Sequence, residues 1–249
     1  MKIDGSVALV TGGSGGLGRS ICKALAESGV SLAVGYMDGE DRANEVCQDV
    51  LASGGKATSV RIDQSDEASV EKAVADVVDA FGTLDILVNN AAIAQGVPFP
   101  DLDALSSEIW DRSMQVNLRG PWLVSKYAAP HLKASDWGRI VNVAAMAGMK
   151  PMGASIAQSV SKAGAIQLTR CLAVALAPEV TVNCVAPGLM EGTELTKNIS
   201  DAFLDSFKSK SVLGATTSLD DVAGQVVQFC RSETTTGQTL VIDGGVFFH

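Results

Sequence analysis

The stretch Val7-Ala8-Leu9-Val10-Thr11-Gly12-Gly13-Ser14-Gly15-Gly16-Leu17-Gly18 decides how this chain folds. Four aliphatic residues read as a buried strand, and small residues follow until helical spacing begins near Arg19. Glycines let the backbone turn sharply and approach a bound group closely. Unpaired N–H groups at the start of the next helix, with its aligned peptide dipoles, favour an anion such as a pyrophosphate. A Gly-rich turn alone is a weak signal, because glycines also serve helix-on-strand packing.

Outward from this turn, strand-like and helix-like stretches alternate to the end of the chain. Strands are predicted at Val7 to Val10, Ser31 to Tyr36, Ala57 to Ile62, Ile86 to Asn89, Arg139 to Val143, Val180 to Val185 and Thr239 to Ile242. Helical periodicity is clearest in Arg19 to Ser28, Ala43 to Ala52, Val70 to Phe81, Ile109 to Leu132, Val160 to Leu176 and Leu219 to Cys230. This alternation implies parallel strands joined by right-handed crossovers. The expected architecture is one α/β domain over residues 1–249, a doubly wound seven-stranded parallel sheet flanked by helices on both faces. The interval 190–214, rich in Ser, Thr, Lys and Glu, follows the sixth strand. It reads as a lid over the ligand crevice, or as a solvated surface loop and helix.

A chain of 249 residues with 47% hydrophobic and 19% charged residues suffices for one core covering both faces of a sheet. No apolar run approaches the roughly 18 residues of a membrane span. The opening Met-Lys-Ile-Asp-Gly-Ser lacks the apolar centre of a signal peptide, so a cytoplasmic location is expected. The five cysteines form no CxxC pair and read as structural thiols. A net charge of −9 argues against nucleic acid. Neither His131 nor His249 has a second ligand at a metal-site spacing, so no metal is expected.

The turn has the spacing TGxxxGxG, and further marks follow in order. They are Asp63 after the third strand, Asn89-Asn90-Ala91-Ala92 after the fourth, Asn117, Lys162, Pro187-Gly188 after the sixth, and Asp243-Gly244-Gly245. With these marks the chain resembles the classical short-chain dehydrogenase/reductase family over essentially its whole length. The resemblance implies a Rossmann fold and an NAD(P)-dependent oxidoreductase. It implies that Gly12, Gly16 and Gly18 shape a pyrophosphate turn, that Asp63 accepts from the adenine amino group, and that Asn90 supports the adenosine side. Ser14, Leu17, Tyr36, Lys162, Pro187 and Gly188 complete the implied cofactor-binding set. More modest roles exist for each mark: helix packing for the glycines, turn capping for Asp63, strand knitting for Asn90. Ala92 departs from the family's Gly and crowds the ribose slightly.

An acidic residue ending the second strand would hold the ribose hydroxyls, whereas Arg nearby would favour a 2′-phosphate. Tyr36 stands at the usual acidic position and Gly15 at the usual basic one; Asp38 and Arg42 lie beyond. No cation is spaced to hold the phosphate, so NAD is expected over NADP.

The chemical half lies in Ala144 to Leu168, where Gln158 and Lys162 fall one turn apart on one helix face. In the family resembled, Tyr and Lys fill that spacing, with a Ser upstream and an Asn on the preceding helix. Tyr transfers the proton, Lys lowers its pKa and binds ribose, Ser orients the carbonyl, and Asn holds a relay water. Lys162 and Asn117 are kept, but Gln158 occupies the Tyr position and Ala145 the Ser position. Gln can donate a hydrogen bond yet has no titratable proton near neutral pH.

Substitute proton donors are Lys162 itself, or Glu191 and Glu194 from the lid interval. Tyr127 is expected in the core or a subunit contact, Ser155 as an N-cap, and Ser159 and Ser161 pointing away from the Gln158 face.

Three readings remain open. One is a weakly or non-catalytic subunit assembling with an active NAD-dependent alcohol or hydroxyacyl dehydrogenase paralogue, as a dimer or tetramer through helices around 107–132 and 155–176. Another is an active oxidoreductase for C=O, C=C or C=N bonds, protonated by solvent or Lys162. The third is a dinucleotide-sensing regulator. Met146, Met149, Met152, Leu189 and Met190 suggest an apolar pocket wall and leave the substrate open.

Overall fold

The computed structural model describes residues 2–194, 196–197 and 199–248; Leu195 and Asn198 of the expected lid, and His249, lie outside the described residues. Seven strands form one sheet: β1 (Val7–Val10), β2 (Ser31–Tyr36), β3 (Ala57–Arg61), β4 (Ile86–Asn89), β5 (Gly138–Val143), β6 (Val180–Pro187) and β7 (Thr239–Ile242). The order is β3-β2-β1-β4-β5-β6-β7, and every neighbouring pair is parallel. The winding reverses between β1 and β4. Loops leaving those two strands diverge, and a crevice opens at their carboxyl ends.

Alternation along each strand splits the core in two. Ala8, Val10, Leu32, Val34, Ile86 and Val88 pack beneath α1 (Gly16–Ala26), α2 (Glu40–Ala52) and α8 (Leu219–Arg231). Val7, Leu9, Ala33, Leu87, Ile140 and Val182 pack beneath α3 (Glu67–Phe81), α5 (Gly120–Ala134) and the end of α6 (Ile156–Ala175). Cys22, Cys47, Cys184 and Cys230 are buried and Cys171 is exposed. Burial raises the Cys22, Cys47, Cys184 and Cys230 thiols, so they stay protonated packing groups. Among the described helices, none is long and apolar enough to cross a membrane.

Several helices begin earlier than their apolar periodicity suggests. Asp66 accepts from Ala68 N–H at 3.1 Å and Ser155 from Gln158 N–H at 3.2 Å, so α3 and α6 start at polar caps ahead of their first buried residues. The expected continuous helix from Ile109 to Leu132 is instead three pieces: α4 (Ser107–Met114), a π-helical turn (Gln115–Arg119) and α5. Pro121 has no N–H to give the carbonyl of Asn117, four residues back, and Gly120 N–H bonds Gln115 O five residues back. The 190–214 interval contains α7 (Asp201–Lys208), capped by Ser200.

Candidate functional site

The Gly-rich turn is held by its neighbours across the switch point. Thr11 Oγ1 accepts from the N–H groups of Asn90 (3.0 Å) and Ala91 (3.1 Å). Asn90 Nδ2 donates to Thr11 O (3.0 Å) and Gly12 O (3.1 Å). Gly12 has φ 63, and a Cβ on it would press on Ala91 and Asn90. Gly15 is the N-cap of α1, and no side chain caps the helix. The first N–H groups of α1 are thereby left for an anion. Gly16 faces the start of the 190–214 interval, with its Cβ position 2.9 Å from Gly192 O.

Asn90 thus supports the turn rather than knitting strands; its neighbour Asn89, pointing to the opposite face, does the knitting. Asn89 Nδ2 donates to Asn142 Oδ1 (2.8 Å) and Ser125 Oγ (3.1 Å), and Asn142 Nδ2 to Thr169 Oγ1 (2.9 Å). Asn90→Ala should cost about 1–3 kcal/mol, by stranding two carbonyls. It should also weaken dinucleotide binding about tenfold, read by denaturation and calorimetry.

Tyr36 is buried at the end of β2, and its hydroxyl is raised by burial and by Glu40. Glu40 therefore stands near the position where a ribose would be read, a neighbour that strand-end spacing did not show. Arg42 Nη2 reaches Asp38 O at 3.5 Å. Asp63 Oδ1 accepts from Ser65 Oγ (2.6 Å) and Ser65 N–H (2.9 Å), which holds its carboxyl below the usual range. Turn capping is thus one of its roles. Gln64 was not expected here: buried, it donates to Ala91 O (2.9 Å) and Val116 O (2.7 Å), tying the β4 end to the π-helical turn.

On the chemical side, Lys162 Nζ donates to Val143 O at 2.8 Å and is almost wholly buried. Burial pushes its ammonium down from 10.5 to about 8. Because the folded value lies below the unfolded one, the unfolded chain binds more protons between those limits and stability rises with pH across them. Lys162→Met should therefore gain about 3 kcal/mol at neutral pH, less the lost Val143 bond, relative to the parent. That advantage should vanish as pH rises through about 10.5. Chemical denaturation across pH reads it, and a difference independent of pH would refute the desolvation.

Asn117 spends its carboxamide on protein partners. Oδ1 accepts from Ile93 N–H (2.9 Å), while Nδ2 donates to Ile93 O (2.9 Å) and Ser161 Oγ (3.2 Å). Ser161, expected to point away, lies three residues after Gln158 and turns inward, donating to Gln158 O at 2.8 Å. Ser159 Oγ donates to Ala147 O at 2.7 Å. Ala145 follows β5 as the extended residue before a short 3-10 turn, Met146–Gly148. Tyr127 lies at the core edge with its hydroxyl on Glu67 at 3.0 Å. Glu191 is tied to Thr216 and Lys208, and Glu194 to Lys197.

Residues 6–203 match the family model described as short chain dehydrogenase. The chain belongs to the short-chain dehydrogenase family. A protein named as a ketoacyl reductase of the granaticin polyketide synthase, from Streptomyces violaceoruber, is 39% identical over 242 residues, 96% of this chain and 95% of the relative. The 3-oxoacyl-[acyl-carrier-protein] reductase FabG of Aquifex aeolicus is 34% identical, covering 99% of both chains. A solved short chain dehydrogenase from Burkholderia cenocepacia, in complex with NADP, superposes with TM-score 0.91 at 35% identity, covering 99% of both chains.

The nucleotide half of this short-chain dehydrogenase fits a dinucleotide. Side chains at Gly12, Gly16 or Gly18 would run into Ala91, Gly192 O or the turn's own backbone, so the glycines keep the turn packed close against an uncapped helix start. Its chemical half sets Lys162 on the β5 end and links Asn117 through Ser161 to the Gln158 backbone, with alanine at position 145.

Proposed function

We propose that this chain is an NAD(P)-dependent oxidoreductase whose substrate is protonated by Lys162 or water rather than by residue 158. The observation that carries the reading is the intact dinucleotide cradle opening beside a buried, readily deprotonated Lys162. The α1 start and the glycine turn hold the pyrophosphate, Asn90 keeps the turn in shape, and Asp63 takes the adenine amino group. Pro187, Gly188, Ser14 and Leu17 close the cofactor site, and 190–214 acts as its lid. Lys162 binds the ribose and gives up a proton at Nζ. A reduced nicotinamide, when bound, supplies a hydride to an electrophilic substrate carbon. NAD is preferred, because Gly15 and Tyr36 offer no cation and Arg42 leans on Asp38 O. One domain spanning 1–249 acting in the cytoplasm completes the reading.

Calorimetric titration of the purified chain with NADH and NADPH tests it. Micromolar binding, tighter for NADH, is expected; absence of binding to either would overturn it.

A second reading, a subunit serving an active paralogue, is favoured by Ala145 and Gln158, neither of which holds a transferable proton. A groove of about 430 Å³ between α4, α5 and α6, lined by Met114, Leu118, Trp122 and Leu168, is where such a partner would seat. Trp122 is 43% exposed there. A purified homo-oligomer that binds NADH without another chain would exclude this alternative.

A further inference from the structure

Gln158 is held more tightly than a residue on an open helix face needs to be. Its Oε1 accepts from Ala154 N–H at 2.7 Å. Gly153, at φ 107, runs so close that a Cβ on it would stand 2.5 Å from that oxygen. The supporting backbone is itself anchored: Ala154 O accepts from Val97 N–H at 2.8 Å, and Ser155 caps α6 on Gln158 N–H. One end of the carboxamide is thereby consumed. The other end, Nε2, has no hydrogen-bond partner among the described residues and is not sealed from solvent. It belongs to the helix face of Lys162, one turn away.

A tyrosine hydroxyl gives and takes hydrogen bonds, and so does a carboxamide free at both ends. With its oxygen turned to Ala154 N–H, Gln158 presents its donor end to the site. We propose that Gln158 is a fixed hydrogen-bond donor that anchors a carbonyl oxygen, so that the site takes conjugated carbonyl compounds, enones above all, in preference to alcohols. This rests on the dinucleotide reading given above. An alcohol placed there gains no matching acceptor from the Ala145 side chain, and Gln158 Oε1 is turned to Ala154 N–H, whereas a carbonyl oxygen needs only the donor. Reduction at a carbonyl carbon would put a full negative charge on one strongly basic alkoxide oxygen, which needs a proton delivered to it at once, and Gln158 can give a hydrogen bond there but no proton. Reduction of an enone spreads the charge over an enolate, whose less basic oxygen needs only a hydrogen bond while the proton is taken at the α-carbon.

At the β-carbon a C–H bond forms with the hydride electrons of the reduced dinucleotide, and the C=C π pair moves to give an enolate. Gln158 Nε2–H holds the enolate oxygen, and a proton from water or Lys162 adds to the α-carbon. One enone, one reduced dinucleotide and one proton become the saturated ketone and the oxidised dinucleotide.

Benzylideneacetone and its allylic alcohol, which differ only at the oxygen-bearing carbon, are the probes. Each is titrated calorimetrically into the chain saturated with oxidised dinucleotide, and into Gln158→Leu and Gly153→Ala. The enone should bind about tenfold more tightly than the alcohol. Gln158→Leu should erase that ratio with dinucleotide affinity unchanged. Gly153→Ala, which pushes Oε1 from its seat, should narrow it. With reduced dinucleotide, chromatography should show the saturated ketone rather than the allylic alcohol. Equal affinities, discrimination surviving in Gln158→Leu, or no binding of either probe to the loaded chain would overturn the anchor while leaving the dinucleotide reading intact. A chain that takes up no dinucleotide would overturn both.

Discussion

Gly18→Ala is expected to weaken dinucleotide binding severely and lower the melting temperature by roughly 5–10 °C. A Cβ on Gly18 would run into Gly12 O and stand 2.8 Å from Gly13 Cα and 2.9 Å from Gly12 C. All three are backbone atoms of the turn, so no side chain can rotate aside. The start of α1 must slide off the turn, and the N–H groups aimed at a pyrophosphate move with it. Forced overpacking of this kind typically costs about 1–3 kcal/mol. Loss of the anion seat should weaken NADH binding by more than about a hundredfold, or about 3 kcal/mol. Gly224→Ala on α8 is the matched control. Nothing stands within 4 Å of its Cβ position, and alanine is the better helix former, so stability should rise slightly. Unchanged binding and melting in Gly18→Ala would show that close packing of α1 on the turn does not shape the cradle.

The double substitution Ala145→Ser with Gln158→Tyr should raise carbonyl–alcohol interconversion by about 10²- to 10⁴-fold. Tyrosine at 158 would sit one turn from Lys162, whose charge lowers a phenol's pKa, and serine at 145 would supply the missing polar contact. The two act as a unit, so either single change should recover much less than half of the logarithmic gain. Ala154 N–H loses its acceptor in the exchange, at about 1 kcal/mol of stability. Enone reduction should fall at the same time, because the fixed carboxamide is gone. Steady-state kinetics with paired alcohol and enone substrates reads both effects. No gain in a variant that still binds NADH would place the defect beyond these two positions.

Much of the fold was legible because buried parallel strands are nearly continuous aliphatic runs. Val7–Val10 and Ile86–Asn89 were bounded by their own composition. Helix starts were less legible, since apolar spacing reports the first buried residue while the helix begins at its cap, as at Asp66 ahead of Val70, although Ser155 was readable as a cap. The break at Gln115–Arg119 had a signal, Pro121, that an otherwise regular apolar pattern concealed. Asn89 and Asn90 carried another. Successive strand residues face opposite ways, so the pair could not share one task, and only one of them could reach the glycine turn.

The sequence by itself determined the alternating α/β architecture, the place of the glycine turn after β1, and the absence of a titratable hydroxyl at positions 145 and 158. Those follow from side-chain chemistry and from periodicity along the chain. Only the tertiary structure decided that Asn117 spends its carboxamide on Ile93, that Lys162 is dried by burial against Val143, and that Glu191 and Glu194 are tied up by Thr216, Lys208 and Lys197. It also decided which end of Gln158 is free. Each is a choice of hydrogen-bond partner or a loss of water. Both depend on which distant segments the packed sheet brings within about 3 Å, a distance that no spacing along the chain encodes.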